Sequence, residues 1–219
     1  MLLADSNTPK NVFLFSLSII LILLIANIYG FYLSLQDPDS LLTQRVIKLF
    51  DFNQPSSIPS IFIISMLLIS TILIILIGRK AGEKGIYWYG LALIFGLLTA
   101  SKAFHIQKII FWKIYGINST FKVSLFVVGT LLLLSMVLFF ILYIPFFSKL
   151  PKPTLKLVVF SLFIFVLGAV IFDKFGEWYL KANSFDLGHY ILYTIEETLE
   201  MIGVSLFVFV WLKYLIKSN

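Results

Sequence analysis

The chain contains no cysteine. Disulfides, thiolate chemistry, iron–sulfur clusters and cysteine zinc sites are thereby excluded, although the redox compartment stays open. Charge is also scarce, at 13% of the 219 residues, about half the share of a soluble domain. No glycine-rich nucleotide loop, nucleophile elbow or His-Glu-x-x-His occurs, which removes the enzyme classes those motifs define. Internal repeats and low-complexity tracts are absent too. The formal charge of +6 does not point to nucleic acid, because Lys and Arg sit at the ends of apolar runs and form no aromatic-interleaved basic tract. A lone lysine embedded in an apolar run, as a retinal Schiff base needs, is missing as well.

What the chain has in abundance is apolar length. Hydrophobic residues make up 60% and aromatics 17%, and the apolar runs recur near the twenty residues that cross a bilayer. The expectation is one all-α integral membrane domain over residues 1–219, with six transmembrane helices and one or two short interfacial helices. The spans fall at about 11–35, 58–78, 86–103, 121–147, 155–175 and 188–216. Asn11 caps the first and Asp37-Pro38 closes it. Its flank holds only Lys10, so it reads as a retained span rather than a cleaved signal. Tyr87-Trp88-Tyr89 has the composition of an interfacial anchor, and Pro145 falls near the end of the fourth span.

Two connections are longer than turns. Residues 39–53 place Leu42, Val46, Leu49 and Phe50 on one helical side, opposite Arg45 and Lys48, as in a helix lying in the interface. Residues 103–117 either extend the third span or form a second such piece. With six spans, the side carrying both termini holds nine basic and two acidic residues, against eight basic and nine acidic on the other. The short loops around Arg79-Lys80 and Lys149–Lys156 are the densest in basic residues. The positive-inside rule therefore places both termini in the cytoplasm.

Residues 187–216 organise the rest. This run can span a bilayer, yet carries Glu196, Glu197 and Glu200. At about 100° per residue, His189, Tyr193, Glu196, Glu200 and Gly203 share one face, with Glu197 at its edge. A charge at mid-membrane depth costs about 2.5–3.5 kcal/mol, so these acids require partners, protons or a cation. Asp173 and Glu177 repeat the i, i+4 spacing on the fifth span. His105, Asp173, Glu177, Asp186 and His189 all fall towards the outer end. The candidate ligand-binding residues are Glu196, Glu200, Glu197, Glu177 and Tyr193; the candidate metal ligands are His105, His189, Glu196 and Glu200. Carboxylate with imidazole suits a divalent cation, a proton relay or metal-assisted hydrolysis. Equally, Lys102, Lys108, Lys174 and Lys181 lie near enough in sequence to pair with the acids in a polar plug. Gly90 with Gly96, and Gly168 with Gly176, suit close helix packing. Asn118-Ser119-Thr120 fits the glycosylation pattern.

These residues resemble those of an uncharacterised family of bacterial multispanning membrane proteins. IEETLEMIG, followed by SLFVFVWLKYL, resembles that family's Glu-Glu-x-x-Glu-Met-x-Gly helix. Glu177 matches a Glu after a glycine-containing apolar run. FDFNQPSSIPSIFIISMLLI resembles an Asp-rich, Pro-containing entry to the second span, and LLTASKAFH resembles a segment with an Asp-Glu pair and then a His-Glu pair. Thr99 and Ala100 replace the first pair here, Ile106 stands where Glu follows the His, and Gln54 replaces a Glu. The resemblance implies an all-helical fold in a bacterial inner membrane and implies no activity.

Three functions follow as expectations. The first is an outward-facing site of carboxylates and His that binds a cation, protons or a small polar or lipid-headgroup ligand. The second is a non-catalytic subunit or scaffold, with a membrane-protein partner or a second copy of the chain. The third is an intramembrane metal-dependent hydrolase. A transporter is disfavoured by the lack of repeats and of paired broken helices.

Overall fold

The computed structural model describes residues 7–54, 56–82, 85–104, 141–182 and 186–217. Within those residues every regular element is helical. In chain order they are α1 (Thr8–Gln36), α2 (Leu41–Phe50), α3 (Ile58–Lys80), α4 (Gly85–Ala103) and α5, the helical residues 141–147. Then come α6 (Lys152–Val166), a π-helical segment (Leu167–Phe172), α7 (Asp173–Ala182) and α8 (Leu187–Lys217). Five helical stretches are long and apolar enough to cross a membrane, Lys152–Lys181 being one of them. Most of the expected fourth span, 121–147, lies outside the described residues, as do residues 105–117 and the Asn118 sequon.

The boundaries follow local chemistry. Proline stands at the first turn of α1, α3 and α6, where its missing N–H is not needed. Ser40 caps α2, its Oγ accepting the Thr43 amide at 3.1 Å. Asp186 precedes α8 and accepts the His189 amide at 3.1 Å; that hydrogen bond holds its carboxyl below the usual range. Within the helices, hydroxyls turn back on their own backbone: Ser16 bonds Val12 O, Ser161 bonds Leu157 O and Ser205 bonds Met201 O, so none needs water.

α8 is the central post. Its 31 residues extend about 46 Å, longer than a hydrocarbon core of about 30 Å. It contacts α1, α3, α6, α7 and the π segment, and Met201, Val204, Val210 and Trp211 on it are almost wholly buried. Outward-facing positions such as Phe15, Leu21, Ile61, Leu97 and Phe163 are apolar and exposed, as suits a lipid-facing surface. The aromatic run on α4 divides its labour. Tyr87 and Tyr89 are exposed, but Trp88 is 3% exposed. Its ring meets Trp211 edge-on at 5.8 Å and Phe146 at 4.9 Å, so it is core rather than interfacial anchor.

α2 lies against α1, and its buried residue is Thr43, which the apolar count of its face passes over. Leu42 and Leu49 are exposed. Val46 faces Gly30, where a β-carbon would stand 3.2 Å from Val46 Cγ1. At the same junction Asn27, 2% exposed, joins three segments. Its Nδ2 donates to Tyr190 Oη at 2.8 Å and Thr194 Oγ1 at 3.1 Å, and its Oδ1 accepts the Phe52 amide at 3.2 Å. Asn27→Leu strands these groups together, and is expected to cost about 3 kcal/mol in a reversible unfolding titration of the purified protein. A loss below about 0.5 kcal/mol would mean that the network is solvated instead.

Candidate functional site

α8 descends past the π segment and the end of α4. Gly168, in the π segment, has no side chain to hold the helices apart: a β-carbon there would lie 2.7 Å from Glu196 O and 3.0 Å from Glu200 N. Three residues beyond Glu200, a β-carbon on Gly203 would lie 2.8 Å from Phe165 Cα. Backbone thus meets backbone at the level of the acids and again just beyond them. The expected close approach at Gly168 is present. Gly176 has nothing within 4 Å, and Gly96 only an ordinary contact at 3.9 Å.

Glu196, Glu197 and Glu200 each offer a carboxylate oxygen, and these lie within 4.8 Å of one another. Lys102, near the end of α4, reaches into the group. Its Nζ is 2.6 Å from Glu200 Oε2 and 3.7 Å from Glu197 Oε1. Glu200 is 2% exposed, while about a third of the Lys102 side chain stays open, at 35%. Glu197 Oε2 is buried without a hydrogen-bond partner. No cation stands within ion-pair distance of Glu196 among the described residues. Among the described residues, therefore, one lysine engages two of three clustered acids.

The other candidates stand apart. Glu177 pairs with Lys174 at 2.9 Å, and Asp173 with the same amine at 3.1 Å. All three are substantially exposed, so these pairs add little stability. His189 is buried at the head of α8, its ring 5.6 Å from Tyr193. Seven residues, about 10 Å of helix rise, separate it from Glu196. Tyr193 is turned towards Asp51. The single face expected from helical periodicity therefore divides. Its upper residues address α1 and the turn after α2, and its lower residues address α4 and α6. His105 lies outside the described residues. The sequence points to Lys102 as a partner through its position near the end of an apolar run. The junction of Asn27, Asp51, Tyr190 and Tyr193 was not foreseen, because no spacing links residues so far apart.

Crossing length, lipid-facing apolar surface and a charge cluster inside the bundle define an all-helical membrane protein. Within that class the chain belongs to the family of the domain of unknown function DUF8692, whose sequence model matches residues 16–215, from α1 almost to the end of α8. No curated protein and no solved structure matches the chain.

Proposed function

We propose that this protein is a six-span protein of a bacterial inner membrane, with cytoplasmic termini and a cation-binding site formed by Glu196, Glu197 and Glu200. The observation that carries this reading is the mismatch, among the described residues, between three clustered carboxylates and the one amine of Lys102. In a low-dielectric interior such an imbalance is costly, and a bound cation removes it. Oxygens ligating a calcium-sized ion at about 2.3–2.6 Å stand at most about 5 Å apart. The spacing of 4.8 Å fits that limit. An all-carboxylate set, with His189 at a distance, favours a hard ion such as Ca²⁺, Mg²⁺ or Mn²⁺ over zinc. Lys102, a third exposed, serves as a tethered cation that an entering ion displaces.

The test is a calorimetric titration of the purified protein with Ca²⁺, Mg²⁺, Mn²⁺ and Na⁺, run beside Glu196→Gln. One ion is expected to bind saturably, with affinity about tenfold weaker or worse in the variant. Heat that is the same for all four ions, or unchanged by Glu196→Gln, would overturn the reading.

The scaffold reading is favoured by a different observation: Lys102 joins α4 to α8 through Glu200 and Glu197, as helix glue does. It requires Glu200→Gln to reduce recovery of an assembly with a partner or second copy while leaving cation binding unaltered. An intramembrane hydrolase would need the same ion plus open coordination positions, and the lysine already engages two of the three acids.

A further inference from the structure

A cavity lies where α1, α2 and α8 meet, at the level of α2. Its volume is about 220 Å³, and its walls include Phe31, Ser34, Ile47, Asp51, Tyr190 and Tyr193. It is distinct from the Glu196 cluster and lies towards the head of α8. We propose that this cavity binds an alkylammonium cation, carried either by a lipid headgroup or by a free amine in the surrounding water.

Three features of the walls lead to that ligand class. The first is charge. Among the described residues, Asp51 is the one charged residue in the lining, and no Lys, Arg or His forms a salt bridge with it. Arg45 and Lys48, on the neighbouring α2, are exposed. Asp51 Oδ1 accepts the Asn53 amide at 2.9 Å, and Tyr193 approaches the carboxylate from α8. These contacts hold the group in place without a cationic partner among the described residues.

The second feature is the aromatic wall. Phe31 and Tyr190 stack at 3.9 Å between ring centroids, and Tyr190 meets Tyr193 edge-on at 5.2 Å. Aromatic walls beside one carboxylate suit a cation clothed in alkyl groups, which pack on the rings, and each ring face left open by the stack adds attraction through its quadrupole. The third is size. A space of about 220 Å³ equals the share of about seven waters, far more than a bare metal ion occupies and enough for a tetramethylammonium-sized group. Asn27 also lines the cavity, but both ends of its amide are committed to Tyr190, Thr194 and Phe52. It therefore fixes the cage rather than binding the guest.

The test uses the full chain in nanodiscs of phosphatidylglycerol, which has no amine. Tetramethylammonium and propylammonium chloride are titrated against equal sodium chloride, with tyrosine and tryptophan emission as the readout. At least one of the two is expected to give a saturable change that sodium does not, about tenfold weaker in Asp51→Asn. Phe31→Leu provides a second variant that keeps the charge and removes a ring, and should weaken binding in the same sense. Repeating the titration in nanodiscs of phosphatidylcholine or phosphatidylethanolamine separates the sources. Competition by those lipids identifies the headgroup amine, and unchanged affinity identifies a free amine. A response no different from sodium, or binding that both Asp51→Asn and Phe31→Leu leave intact, overturns the proposal.

Discussion

Lys102→Met is expected to lower the unfolding midpoint at neutral pH by about 10 °C. The amine stands 2.6 Å from Glu200 and 3.7 Å from Glu197. Removing it leaves three carboxylates clustered with no counter-charge among the described residues. Breaking a buried pair costs about 3–5 kcal/mol, and the lower end applies because 35% of the lysine side chain is exposed. Adding Glu200→Gln to the same chain should return a good part of the loss, since the most buried charge then disappears with its partner. If the cluster binds a cation, Ca²⁺ should stabilise Lys102→Met more than the parent chain, because no tethered amine competes. A midpoint within about 1 °C of the parent would show that water already screens the acids. The measurement is differential scanning fluorimetry across the single variants and the double variant, which together form a mutant cycle.

Gly203→Val should be more damaging still. A β-carbon at this position lies 2.8 Å from both Phe165 Cα and Phe165 Cβ and 2.9 Å from Phe165 N. Backbone atoms cannot turn aside as a side chain can, so α6 must retreat from α8. Overpacking of a tight core costs about 1–3 kcal/mol, and two further methyl groups in a backbone contact place this variant at or beyond the upper limit. Because Gly168 abuts Glu196 from the same side, the displacement also loosens the wall behind the acids. Loss of monodisperse protein on size exclusion, or a midpoint lower by more than about 10 °C, is the expected result. Gly176→Ala serves as the control. Nothing lies within 4 Å of that position, and alanine in a helix interior gains about 0.5–1 kcal/mol over glycine. Equal effects at the two glycines would contradict the packing assigned here.

The helices were legible in the sequence because each is a local property. An apolar run of spanning length must satisfy its backbone internally, and a helix does so within the run itself. α3 and α4 accordingly match the expected spans closely, and α2 falls within the expected short helix of residues 39–53. The fifth span continues further than its apolar run, to Ala182, with Asp173, Lys174 and Glu177 turned to its exposed side, where charge does not interrupt a helix. The π segment left no signature that apolar counting detects. It appears where Gly168 closes against the backbone of α8.

By itself the sequence determined that this is a helical chain of membrane-spanning runs and that Glu196, Glu197 and Glu200 are the residues its interior must accommodate. Burying charge in an apolar run is costly wherever the run packs, and helical spacing alone brings these three close together. Only the tertiary structure decided which partners each residue meets. Lys102 arrives from α4, Glu177 stays outside with Lys174, Tyr193 turns to Asp51, and Asn27 joins α1 to α8 across 163 positions of sequence. Such pairings depend on which helices pack together and at what depth. Periodicity sets the face a side chain occupies on its own helix, and contact across the bundle sets what that face is for.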